Sequence, residues 1–202
     1  MKIFFKCGHH SNDPGKIVGK LIEHEIAKKV MEELKLLLPE AVYVPTSLSL
    51  PEAIKWVNER AETGSLALDT HFNSSNDPDM RGTEAYYSVE SRLAGLFAQK
   101  VSEALGVPNR GQKHDSLSYV GSLGWLRNLK CQSVLLEACY LTNEQDRKAL
   151  DVKKIALGIK NAIDVLNWKP DKIEELRKIQ LSLIQKILKA IQEKVNQLLR
   201  KL

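Results

Sequence analysis

The chain has 202 residues, 43% of them hydrophobic, enough for one sizeable core plus a short appendage. No run approaches the roughly 18 apolar residues a membrane span needs, and MKIFFKCG is too sparsely apolar for a cleaved signal peptide, so synthesis in the cytoplasm without a leader is expected. The net charge of +5 sits mostly at the C-terminal end, where residues 171–202 hold eight basic and four acidic side chains against 22 and 21 elsewhere, so no nucleic-acid surface is indicated.

In chain order, KIFF reads as a strand and residues 16–38 as a helix stopped by Pro39. AVYV is a second strand, and PEAIKWVNERAE opens a helix with Pro in its first turn. SLALDTHF is a strand, followed by a loop rich in Gly, Asn and Asp and then by TEAYYS. Residues 87–105 have helical spacing and end before Gly106, SVLLEACY is a buried strand, and DVKKIALGIKNAIDVL is a helix. Cys7, Cys131 and Cys139, an odd set without CxxC spacing, read as reduced thiols. The alternation predicts an α/β fold, a mostly parallel twisted sheet with helices on both faces, followed by a C-terminal amphipathic helix. NWKPDK (167–172) marks the boundary between units 1–168 and 171–202.

Three strands end in chemistry. The first runs into Gly8-His9-His10, the SLALDT strand into His71 and Asn73, and SVLLE carries Glu137 at its far end. Ligands of open α/β sheets bind beyond the carboxyl ends of the strands. Helical spacing selects a fourth residue. Glu23 shares a face with Ile26, Ala27, Val30 and Leu34, whereas Glu25 lies with Lys28, Lys29, Glu32 and Glu33. A charge on the apolar face is costly unless paired or metal-bound. His9, Glu23 and His71 would then form a two-histidine, one-carboxylate zinc set with a position left for water, and Glu137 would move protons. The plainer readings are a loop role for His10 and His24, a surface role for His114, a salt bridge for Glu137 and a dipole role for Glu23.

These blocks, in this order, resemble the zinc-dependent N-acetylmuramoyl-L-alanine amidase family, the amidase-3 catalytic domain of phage endolysins and autolysins. GHHSNDPG is similar to its opening Gly-His loop, and IEHEIAKKVMEEL to the helix led by a ligand Glu. LALDTHFNSS resembles the strand that delivers the second His, with Asn two residues on; RGTEAYYS, NRGQK and SVLLEACYLTNEQD resemble the remaining blocks. The resemblance covers about residues 1–168. It implies Zn²⁺ on His9, Glu23 and His71, Glu137 as catalytic carboxylate, a substrate contact from Asn73, and peptidoglycan as partner, cut at the amide between N-acetylmuramic acid and L-alanine. The chain departs from the family at His10, where Gly is common, at Phe72, where a small residue is usual and the groove wall is expected to change, and at Asp69, a candidate to orient an imidazole. Alternatives are a zinc carboxypeptidase or peptidase on wall peptides, although 14 positions separate His9 from Glu23, and a non-catalytic wall-binding protein.

In the last segment, Leu181, Ile184, Leu188, Ile191, Val195, Leu198 and Leu202 alternate by three and four. Mostly Leu at a, with Ile at d, favours trimers or tetramers, and Ile187 beside the seam widens the stripe. A homo-oligomer is therefore expected, against a helix packed on its own domain or a basic helix on an anionic surface.

Overall fold

β1 (Ile3–Cys7) is buried along its whole length, as a central strand flanked by parallel neighbours must be. The computed structural model describes residues 1–167 together with 181, 184–189, 191, 192, 194 and 196. After β1 come β2 (Ile17–Val18) and β3 (Leu21–Ile22), a small antiparallel hairpin, then α1 (Glu23–Leu37), β4 (Val42–Tyr43), α2 (Leu50–Asn58), β5 (Leu66–Asn73) and β6 (Thr83–Tyr87). They are followed by α3 (Ser91–Leu105), β7 (Asn109–His114), α4 (Gly124–Asn128), β8 (Gln132–Tyr140), α5 (Glu144–Ala149) and α6 (Val152–Leu166).

The central sheet has six strands in the order β4-β1-β5-β8-β6-β7. β4, β1, β5 and β8 run parallel; β6 pairs antiparallel with β8 and parallel with β7, so this last pair is reversed. The mostly parallel α/β sheet read from the sequence is the one observed. The reversal puts the carboxyl ends of β1, β5 and β8 on the same side as the amino ends of β6 and β7.

Two expectations are corrected. The helix does not begin at Lys16 but at Glu23, because Gly19 (φ 58°) turns residues 17–22 into the β2–β3 hairpin. NRGQKH forms a strand, β7, that hydropathy did not indicate; it lies at the sheet edge, half-exposed and highly charged.

Helices cover both faces. On one, Ala53 and Val57 of α2 and Trp125 and Leu126 of α4 pack on Phe4, Ala67, Tyr86 and Leu135 of the sheet. On the other, His24 of α1 lies against Cys7, and Gly95 of α3 makes room for Gln112 of β7. α6 approaches α3 through Gly158, where a Cβ would stand 2.7 Å from the Val101 Cα. Fully burying one large apolar side chain is worth roughly 1.5–3 kcal/mol, so Phe4, Phe5, Phe97, Trp125, Leu68 and Leu136, all below 2% exposure, anchor both layers. Cys7 and Cys139 are buried, Cys131 is half-buried, and all three are free thiols.

The chain divides into two compact units, Met1–Asp164 and Val165–Leu202. In the second, the described residues from Leu181 onward are helical, with Leu181, Ile184, Ile187, Leu188 and Ile191 exposed. The expected seam positions Val195, Leu198 and Leu202 lie outside the described residues. Among the described residues no helix is long and apolar enough to cross a membrane.

Candidate metal centre and catalytic carboxylate

β1 and β5 run in register, Cys7 opposite Thr70, and beyond this pair the chain delivers its two imidazoles. The Gly8 N–H donates to the Thr70 carbonyl at 2.8 Å, and a Cβ on Gly8 would come within 2.7 Å of His71 Nδ1. His9 then turns through φ 61°, the one left-handed non-glycine conformation among the described residues, at a cost of roughly 1–2 kcal/mol. Three contacts hold this strain. His24 Nδ1 donates to the Gly8 carbonyl at 2.9 Å, and the His9 ring is gripped by Asp13 and Glu23. His24 is thus a buried histidine that fixes the His9 loop from the opposite face of the sheet.

Glu23, the first residue of α1, is 4% exposed and collects both imidazoles. Its Oε1 lies 3.1 Å from His9 Nε2 and 3.0 Å from His71 Nδ1, and accepts the Phe72 N–H at 3.1 Å. Its Oε2 accepts the Lys16 N–H at 2.9 Å. The candidate ligand atoms of His9, Glu23 and His71 all lie within 4.8 Å of one another. The remaining ring nitrogens are engaged as well, His9 Nδ1 by Asp13 at 3.0 Å and His71 Nε2 by Asp69 at 3.2 Å. Outer carboxylates of this kind fix imidazole orientation around a metal. Asp69 is held in turn by Lys6 at 3.0 Å. Gly15 closes the site, since a Cβ there would stand 2.6 Å from His9 Nε2 and 2.7 Å from Glu23 Oε2.

The electrostatics follow from this packing. Burial opposes the imidazolium of His71, but Asp69 and Glu23 on either side overcome it and push its pKa up to about 10. His9 is also raised; burial opposes the charge and Glu23 more than offsets it. Burial disfavours the Glu23 carboxylate, yet the two imidazoles hold it well below its ordinary value. Two imidazoles converging on one carboxylate, with their far nitrogens already committed, suit a divalent cation taking the place of the shared protons.

Glu137 sits on β8 directly opposite His71 of β5. Its Oε2 is buried without a hydrogen-bond partner, and burial, with Glu23, Glu84 and Asp69 near it, pushes its pKa up to about 8 despite His71. A cavity of about 210 Å³ opens beside the imidazoles, lined among others by Lys6, His10, Leu50, Asp69 and Trp125.

Beyond Glu137 lies a cluster that hydropathy and spacing missed. Glu84 of β6 faces Glu137 across the sheet and is 1% exposed. Its Oε1 accepts from Asn73 Nδ2 and Tyr86 Oη, both at 2.9 Å, and its Oε2 from Arg110 Nε and Lys113 Nζ, both at 2.6 Å, and Tyr140 Oη at 3.2 Å. Burial opposes its charge, but Lys113, Arg110 and Tyr86 hold the carboxyl below its ordinary value. An acidic residue inside a strand was the available signal.

Of the residues singled out from sequence, His9, Glu23 and His71 come together with Glu137 alongside. Asn73 stands one step further along β5, with its amide nitrogen spent on Glu84. His10 lines the cavity outside the cluster, and His114 caps a short turn by accepting the Ser116 N–H at 3.3 Å. Phe72 is 2% exposed, on the face opposite His71, so it does not form the groove wall expected of it.

A family model described as N-acetylmuramoyl-L-alanine amidase matches residues 3–165. The structure is similar to that of the catalytic domain of CwlV, an N-acetylmuramoyl-L-alanine amidase from Bacillus (Paenibacillus) polymyxa var. colistinus. That likeness has a TM-score of 0.71 at 24% identity and covers 84% of this chain and 100% of that one. AmiC2 of Nostoc punctiforme gives 0.70 at 20% identity, covering 83% and 98%. The catalytic domain of the CD27L endolysin, which targets Clostridia difficile, gives 0.61 at 23% identity, covering 81% and 97%. At these identities the likeness is one of fold. Curated sequences give no match.

Proposed function

Because the chain belongs to the N-acetylmuramoyl-L-alanine amidase family across residues 3–165 and is a peptidoglycan hydrolase, we propose that it cuts the bond between N-acetylmuramic acid and L-alanine as a zinc enzyme of the endolysin or autolysin type. His9, Glu23 and His71 hold the ion in this reading. Bound zinc would supply Lewis-acid chemistry, polarising the amide carbonyl and easing deprotonation of water near neutral pH.

The chain's own groups do the rest. Glu137, placed opposite His71, accepts a proton from the attacking water and returns it to the departing alanine nitrogen. Asp13 and Asp69 keep each imidazole turned so that one ring nitrogen faces Glu23. Asn73 contributes to substrate contact at the β5 end, where its amide already orders Glu84. The convergence of two distant imidazoles on the buried Glu23, beside a carboxylate with an unpartnered oxygen, supports this reading most directly.

We further propose that residues 1–168 are the catalytic unit and that residues 171–202 assemble three or four copies through their apolar seam. The chain would reach the wall after release from the cytoplasm.

Digestion of purified peptidoglycan followed by mass spectrometry tests the activity. Free amino-terminal L-alanine on the released stems is expected, whereas shortened stems would make it a peptidase. A chelator should stop the digestion and zinc restore it. Glu137→Ala should retain one zinc per chain and lose at least two orders of magnitude in turnover, and His71→Ala should lose the metal. Unchanged zinc in His71→Ala would refute the ligand set.

A further inference from the structure

The Glu84 cluster carries more positive charge than its buried carboxylate requires. Arg110 and Lys113 both pair with Glu84 Oε2, and among the described residues no other carboxylate pairs with either. One cation balances Glu84, leaving a net single positive charge. Glu84 is sealed at 1% exposure, while the Arg110 and Lys113 side chains remain 25% and 27% exposed, so the excess charge faces solvent. The Arg110 guanidinium also lies over the Tyr140 ring, 5.4 Å from its centroid, which holds it in place before any ligand arrives.

Position gives this charge a purpose. Glu84 and Glu137 are directly opposed across antiparallel strands, so their side chains share a sheet face with Cα atoms about 5 Å apart. The two cations bond Glu84 itself, which puts them within roughly 10 Å of the proton-transferring carboxylate. An extended peptide advances about 3.3 Å per residue, so that distance spans the first two or three residues of a stem cut at its alanine nitrogen. In peptidoglycan stems the second residue is linked through its side-chain carboxyl, and its α-carboxyl is either free or amidated.

We propose that Arg110 and Lys113, ordered by Glu84, form a subsite for the free α-carboxylate of the second stem residue, so that the enzyme prefers unamidated stems. The inference rests on the amidase reading and adds substrate selectivity to it. A charged donor pair held by a buried acceptor is suited to a carboxylate, and replacing that carboxylate by an amide leaves the pair's charge uncompensated.

The test uses the zinc-loaded full chain and three soluble muropeptides: one with a free second-residue carboxyl, one with that carboxyl amidated, and one with only the terminal carboxyl amidated. The wild type should cleave the first at least tenfold more efficiently than the second, through KM, and should treat the first and third alike. Lys113→Met, which leaves the Arg110–Glu84 pair in place, should bring the preference close to one, and Lys113→Arg should restore it. Zinc content and melting temperature report that each variant is folded.

Equal efficiency on acid and amide, a preference that follows the terminal carboxyl, or an unaltered preference in Lys113→Met would each overturn the proposal. Cleavage of none of the three substrates, nor of whole walls, would instead overturn the amidase reading.

Discussion

Glu137 leaves a pH signature that can be read without turnover. Burial, with Glu23, Glu84 and Asp69 close by, raises its pKa from 4.5 to about 8 in the metal-free protein. A folded-state pKa above the unfolded one means that the native state holds the proton more tightly. The protonated carboxyl is therefore accommodated fully below about pH 4.5, and stability falls as pH rises from there through 8. Glu137→Gln removes the titration, so it should leave the melting temperature of metal-free protein nearly unchanged at pH 5 and raise it by several degrees at pH 9. A pH-independent difference in calorimetry would show that the carboxyl is not buried in this way. Glu23 was legible in the sequence because an acid on an apolar helical face is expensive, and Glu25, three residues short of Lys28, marked the solvated alternative. Asp69, named from the sequence as a candidate to orient an imidazole, does hold His71 Nε2, whereas the roles of Asp13 and Lys6 were less accessible, since they depend on loop and strand contacts that spacing does not encode. His24, read as an ordinary loop histidine, supports the Gly8 carbonyl from the buried side.

At the scale of elements, the α3–α6 contact depends on one missing side chain. A Cβ at Gly158 would stand 2.7 Å from the Val101 Cα and 2.8 Å from the Lys100 carbonyl oxygen, both backbone atoms that cannot swing aside. Gly158→Val should therefore cost on the order of 2 kcal/mol or more in chemical denaturation. The two helices lie on the sheet face away from the imidazoles, so zinc binding by the surviving folded fraction should persist. Strands β1, β5 and β8 and helices α3 and α6 were legible because long apolar or 3.6-periodic runs bury enough surface to choose their own conformation. β7 was not, because an edge strand with one charged face carries no hydrophobic period, and its place comes from pairing with β6. The β2–β3 hairpin was hidden for a similar reason: six residues turned by Gly19 look like the first turns of the helix that follows.

For the whole molecule, the proposed C-terminal seam sets how many copies act together. Light scattering on the full chain should give a trimer or tetramer, and a version ending at Lys169 should be monomeric; equal monomer masses would end the oligomer proposal. Several linked catalytic units on one polymeric substrate gain effective concentration without any new contact. The three thiols carry a consequence of a different kind. Burial pushes Cys7 up to about 11 and raises Cys131 and Cys139 as well, and it is the thiolate that oxidants attack. With its thiols held protonated, the protein offers almost no sulfur anion to peroxide, so the activity that survives peroxide exposure should not depend on added reductant.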